Sequence, residues 1–214
     1  MNKLSNNSSA NFTVFFGTEF LPKIRAFVQA ARPGNSLTFV GAFVIGIVLA
    51  QQRVGLTDLL AVGLSQTLLY AASCFVNDLA DQAIDQLNQT DQWSKPKTLT
   101  NAELRIGAMV AIAGSLACVF LTQQPIRLVV LILIELFISS LYSLKPFRFS
   151  DRGFMATSTL VIAYVSAPLL TGFLWQRPLL TNITIPVLVA THLFQFAFVL
   201  FKDWKDVRGD QQGD

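Results

Sequence analysis

Two stretches of this chain repeat one spacing of carboxylates, D-x-x-D-x-x-x-D: Asp78, Asp81 and Asp85 in NDLADQAID, and Asp203, Asp206 and Asp210 in KDWKDVRGD. On a helix, steps of three and seven residues return to within about 60° and 20° of the starting direction, so each triplet projects its oxygens from one face. Crowded carboxylates repel one another and take up protons unless a cation neutralises them. Two such faces turned toward each other would form a divalent-cation site. Magnesium suits it, because that ion takes hard oxygen ligands and commonly shares one or two carboxylates with substrate phosphates. Solvated caps at helix ends account for a single acidic run. They account poorly for two runs of identical spacing that together hold six of the chain's 13 acidic residues.

The elements that must position these carboxylates are apolar. Hydrophobic residues make up 52% of the chain, charged ones 14%, and the mean hydropathy is +0.50, a balance foreign to a soluble domain of this length. The apolar residues fall in about six runs that approach or reach the roughly 20 residues a helix needs to cross a bilayer. These run from Asn35 to Ala50, Leu59 to Val76, Leu104 to Leu121, Ile126 to Leu144, Phe154 to Trp175 and Thr181 to Phe201. The fold expected is an all-α, polytopic membrane bundle. Residues 1–30 read as a cytoplasmic or interfacial N-terminal segment and 31–214 as the membrane domain, with the short apolar stretch around Phe12 to Leu21 lying in the interface.

Charge placement gives an independent topology. Of the 16 Lys and Arg, all but Arg53, Arg127 and Arg177 lie on one predicted side of the membrane. By the positive-inside rule that side is cytoplasmic, so both termini and both acidic motifs face the cytoplasm. The net charge of +3 is thereby explained by topology. No basic stripe interleaved with aromatics points to nucleic acid. Trp93, Trp175 and Trp204 fall near span ends, where indoles favour the headgroup region. Cys74 and Cys118 fall within spans and read as packing residues. Glu135 lies inside a span, where a carboxylate raises a functional hypothesis; a buried polar partner or a neutral state explains it equally well. His192 and Gln195, three apart in the last span, read as interhelical hydrogen-bonding groups, with a cavity-facing role as the alternative.

With these motifs in place the chain resembles the UbiA superfamily of intramembrane prenyltransferases. NDLADQAID after the second span matches the first Asp-rich motif of that family and KDWKDVRGD after the sixth its second; Arg32-Pro33 and the segment YSLKPFRFSDRG from Tyr142 to Gly153 also match. The resemblance implies Mg2+-dependent transfer of a polyprenyl group from a prenyl diphosphate to an aromatic or lipophilic acceptor within the bilayer. It also implies roles. Asp78, Asp81, Asp85, Asp203, Asp206 and Asp210 would hold the metal or serve as base, and Asn77 would orient the first motif. Lys95, Lys145, Arg148, Lys202 and Arg208 would contact the diphosphate, although the topology rule alone would also place cations there. Arg32 would meet an acceptor carboxylate, and Tyr142 a phosphate or the acceptor.

Members of that family carry further helices after the second motif, so the chain reads as a truncated domain: a fragment, a naturally short protein, or one completed by a partner chain. Ser94-Lys95-Pro96-Lys97 also stands where an Arg-Pro is commoner. The expected location is a bacterial or archaeal inner membrane. Two other classes fit less well. A small cation transporter would carry its acidic groups near the midplane; a non-catalytic membrane scaffold is the more serious rival because of the missing helices, although the intact motifs argue for catalysis or recent descent from a catalyst.

Overall fold

The computed structural model describes residues 20–51, 53–88, 99–175 and 184–210, without the side chains of 82–88 and 202–210. Among the described residues there are helices and short turns and no strand. The described part of the protein is an all-helical bundle, the class expected. In chain order the helices are α1 (Phe20–Ala31), α2 (Pro33–Leu49), α3 (Leu56–Asn88), α4 (Asn101–Val119), α5 (Pro125–Ser143), α6 (Phe154–Val161), α7 (Ala167–Leu174) and α8 (Thr184–Asp210). A 3-10 turn at Phe149–Asp151 precedes α6, and a π-helical segment, Ile162–Ser166, joins α6 to α7.

Among the described residues, five helical stretches are long and apolar enough to cross a membrane: Leu56–Asp81, Asn101–Val119, Pro125–Ser143, Phe154–Leu174 and Thr184–Phe201. A sixth exists when α1 and α2 count as one span bent by 44°. The expected first span is therefore a 17-residue helix continued backward by α1. The bend has a local cause. Pro33 sits in the first turn of α2, where its missing N–H is harmless, and a proline disfavours the right-handed helical region for the residue before it. Arg32 accordingly turns out of the helix at φ 48°.

α3 has 33 residues, about 50 Å at helical rise, against a hydrocarbon core of about 30 Å. Its apolar part spans the bilayer and its last turns carry the first acidic motif beyond it. α4 opens on a capping box, in which the Thr100 hydroxyl accepts from the Glu103 N–H and the Glu103 carboxylate accepts from the Thr100 N–H, satisfying two orphan donors reciprocally.

In lipid, helices associate through close packing and interhelical hydrogen bonds, and both occur here. Gly46 of α2 lies against the Leu169 carbonyl and Gly172 of α7 against the Phe43 carbonyl, so closely that any side chain would collide with backbone. Ser65 of α3 and Ser115 of α4 are hydrogen bonded at 2.9 Å, both buried. His192 of α8 meets Ser166 of the π segment at 3.0 Å, the interhelical role expected for it, while Gln195 lines a cleft of about 500 Å³ between α2 and α8. The central core gathers Phe39, Phe43, Val62, Leu69, Leu128 and Ile132. Trp175 belongs to it as well. It is fully buried beside Phe43, at the end of the span, and does not face lipid. The π segment follows from Pro168, which cannot donate to the Tyr164 carbonyl; the ladder slips and the Ala167 N–H bonds to Ile162 five residues back.

Candidate functional site

Seven polar or polarisable residues of α3 recur at helical spacing: Gln66, Tyr70, Ser73, Cys74, Asn77, Asp78 and Asp81. They form one stripe running from the middle of the span to its end, and its outer part is the first acidic motif. Two other elements converge there: the bend between α1 and α2, which brings Arg32, and the end of α5 with the turn after it, which brings Ser143 and Arg148.

Arg32 Nη2 donates to Asp78 Oδ1 at 2.8 Å, and the Asp78 side chain is buried. Arg148 Nη2 donates to Asp81 Oδ1 and its Nη1 to the Ala80 carbonyl, each at 3.0 Å. Arg148 is itself buried, and its Nε stands 2.7 Å from Asp151 in an ionic contact without hydrogen-bond alignment. Asn77 is held at both ends, its nitrogen donating to Asp81 Oδ2 at 2.7 Å and its oxygen accepting from Ser143 at 3.0 Å. Asp81 thus has one oxygen engaged by an arginine and the other by an amide.

Both arginines occupy the left-handed region of backbone space, Arg32 at φ 48° and Arg148 at φ 33°. For a residue with a Cβ this costs about 1–2 kcal/mol. Such strain persists only where the surroundings enforce it, and it gathers at functional positions. Below the motif the stripe continues in hydroxyls: Ser73 lies 3.2 Å from the Tyr164 phenol, whose ring packs edgewise on Tyr70 at 5.3 Å.

Of the residues expected at the site, Arg32, Asn77, Asp78, Asp81 and Arg148 come together. Tyr142 is half-buried in the last turn of α5, within electrostatic reach of Tyr164. Lys145 is exposed on the turn that follows, with no hydrogen bond or ion pair to a described residue. Asp85 lies on α3, and Lys202, Asp203, Asp206, Arg208 and Asp210 lie on α8, each triplet on one uninterrupted helix; their side chains are outside the described set. Lys95 falls outside the described residues altogether. Ser143 and Asp151, which brace Asn77 and Arg148, were not expected, and neither were Tyr70, Ser73 and Tyr164. The seven-residue stripe on α3 was the available signal for Tyr70 and Ser73.

Asp78, Asp81 and the Asn77 oxygen are hard donors of the kind magnesium takes. Among the described residues no group of three or more His, Cys, Asp or Glu converges. The donors fit a magnesium ion in kind, and phosphate oxygens or further carboxylates would complete its shell.

The sequence model of the UbiA prenyltransferase family matches residues 38–214. The chain belongs to that family. Its general activity is prenyl transfer in a membrane, with a prenyl diphosphate and a lipophilic acceptor as the substrate classes the family implies. No curated protein and no solved structure matches the chain.

Proposed function

We propose that this UbiA family protein catalyses Mg2+-dependent transfer of a polyprenyl group from its diphosphate to an aromatic or lipophilic acceptor, at a cavity opening to the cytoplasm of a bacterial or archaeal cell. The observation that carries the reading is the half-buried pairing of Asp78 with Arg32 and of Asp81 with Arg148 at the end of the polar stripe on α3. Carboxylates there provide ligands for a metal, and guanidiniums beside them provide positive charge for a diphosphate.

Asp78, Asp81 and Asp85 would hold metal from α3, and Asp203, Asp206 and Asp210 from α8, one of the latter serving as acceptor base. Bound magnesium supplies electrostatic stabilisation of the diphosphate as the allylic carbon–oxygen bond breaks. Arg148, whose Nη1 and Nη2 already hold Ala80 and Asp81, would offer phosphate oxygens the remaining N–H groups of its planar fork, whereas Lys95, Lys145 and Lys202 would act as point charges, with Arg208 adding to them. Asn77, locked between Ser143 and Asp81, fixes the direction of the Asp81 carboxylate. Arg32 either neutralises Asp78 or takes a carboxylate on the acceptor, and Tyr142 hydrogen-bonds a phosphate or the acceptor. The apolar walls of the bundle exclude water, which would otherwise capture the allylic cation.

The test is release of inorganic diphosphate from a prenyl diphosphate by the detergent-purified protein, with a panel of acceptors, in magnesium and in EDTA. Release only with magnesium supports the reading. No release from a folded preparation with any acceptor identifies a non-catalytic member of the family.

A further inference from the structure

The middle of the bundle holds a polar cluster that prenyl transfer leaves unused. Glu135 of α5, Gln66 of α3 and Thr171 of α7 are all buried. Thr171 Oγ1 donates to Glu135 Oε1 through a short contact, and Gln66 Nε2 approaches the same oxygen at 3.4 Å. Glu135 Oε2 and Gln66 Oε1, both buried, have no hydrogen-bond partner among the described residues.

Among the described residues no opposing charge reaches this carboxylate. The segments 33–50, 54–94, 128–144 and 153–176 contain no Lys or Arg. On α5 itself Arg127 lies two turns away and bonds the Trp175 carbonyl at 3.1 Å. On α4 the charged groups are Glu103 and Arg105, both near its start, and what α4 offers α3 here is Ser115, already bonded to Ser65. His192 of α8 is taken up by Ser166. An ionised carboxylate left alone at this depth is strongly disfavoured.

We propose that Gln66, Glu135 and Thr171 form an intramembrane binding site for one monovalent cation, a proton or a sodium ion, which cancels the Glu135 charge. The two partnerless oxygens and the threonine hydroxyl are hard donors that suit either occupant. Each of three helices contributes one residue, so occupancy clamps α3 to α5 and α7. α3 and α5 are also the helices that carry Asp78, Asp81 and Ser143 to the acidic mouth, which makes the cation a brace for that end of the bundle.

The chain contains three glutamates, Glu19, Glu103 and Glu135, so carboxyl-13C glutamate labelling reads Glu135 against little background. The full chain in nanodiscs at neutral pH is followed by infrared spectroscopy and thermal unfolding, in sodium and in choline buffers. A proton occupant gives a protonated-carboxyl band in both buffers that Glu135→Gln removes. A sodium occupant gives an ionised carboxylate, with an unfolding temperature raised by sodium relative to choline in the wild type and not in Glu135→Gln. If Glu135→Gln does not fold, Thr171→Val serves, since loss of its hydroxyl must shift the carboxyl band or weaken the sodium effect. An ionised Glu135 with no sodium-dependent stabilisation overturns the proposal, as does a protonated band unmoved by either substitution.

Discussion

Arg32 and Arg148 show how the mouth is held. Each grips one carboxylate of the first motif, and each does so from a left-handed backbone conformation. Replacing Arg148 by alanine removes the ion pairs to Asp81 and Asp151 and keeps the strain; replacing it by glycine removes both. Arg148→Gly should therefore be more stable than Arg148→Ala by about 1 kcal/mol, read from unfolding temperatures in detergent. Equal stability would mean that the conformation is unstrained. For the carboxylates, Asp78→Asn and Asp81→Asn should each lower magnesium-dependent turnover by about a hundredfold or more, the scale of losing a preplaced electrostatic stabiliser, with membrane insertion unchanged by fractionation. Normal turnover in either variant would remove that residue from the metal site.

The residues legible in advance were those whose spacing is itself unusual. Asp78, Asp81 and Asn77 stood out because their carboxylate spacing recurs at a second apolar span, which ordinary helix caps explain poorly. Arg32 and Arg148 carried a weaker signal, since the charge asymmetry of the loops would place cations there regardless of function. Ser143 and Asp151 carried little beyond lying in the Tyr142–Gly153 segment. A serine at the end of an apolar helix and an aspartate in a basic turn are commonplace, and only tertiary structure sets them against Asn77 and Arg148.

At the scale of elements, α2 and α7 are joined by two glycines that each face the backbone of the other helix. Gly172→Val should destabilise the protein by about 1–3 kcal/mol, the range for overpacking, because the Phe43 carbonyl leaves no room. Gly63→Ala, where nothing lies within 4 Å of an added Cβ, should be neutral in the same unfolding assay. Comparable losses in both variants would rule out close α2–α7 packing as the cause. Helix positions were readable from the sequence because apolar run length maps directly onto bilayer thickness. The 44° bend at Arg32, the backward continuation into α1 and the π segment before Pro168 were not. Each arises where one proline perturbs a ladder that neighbouring helices then fix, and hydropathy averages over such local events. The burial of Trp175 was hidden for a related reason: a position near a span end says nothing about whether the side chain faces lipid or Phe43.

For the whole molecule, the loop charges predict both termini on the cytoplasmic side. A cysteine introduced at Ser150 should react with an impermeant thiol reagent added from the cytoplasmic face only, and one introduced at Gln123 from the opposite face only. The native background is low, because Cys74 is buried and Cys118 half-buried. Reversed labelling would put the acidic mouth on the wrong side of the membrane for a cytoplasmic prenyl diphosphate. The stripe on α3, from Gln66 in the membrane interior to Asp81 at its edge, links the buried Glu135 cluster to the mouth along a single rigid helix. Substitutions at either end of it should therefore alter the stability of the same unit.

The proposed reaction requires carboxylates from α3 and α8 to share magnesium across one diphosphate. Manganese in place of magnesium makes the bound ion visible by electron paramagnetic resonance, without reference to turnover. Titrating Mn2+ into the purified protein with a non-hydrolysable prenyl diphosphate analogue should show binding that depends on the analogue and weakens about tenfold or more in Asp81→Asn and in Asp206→Asn alike. Undiminished Mn2+ binding in Asp206→Asn, alongside its loss in Asp81→Asn, would contradict the claim that the two motifs act on one ligand.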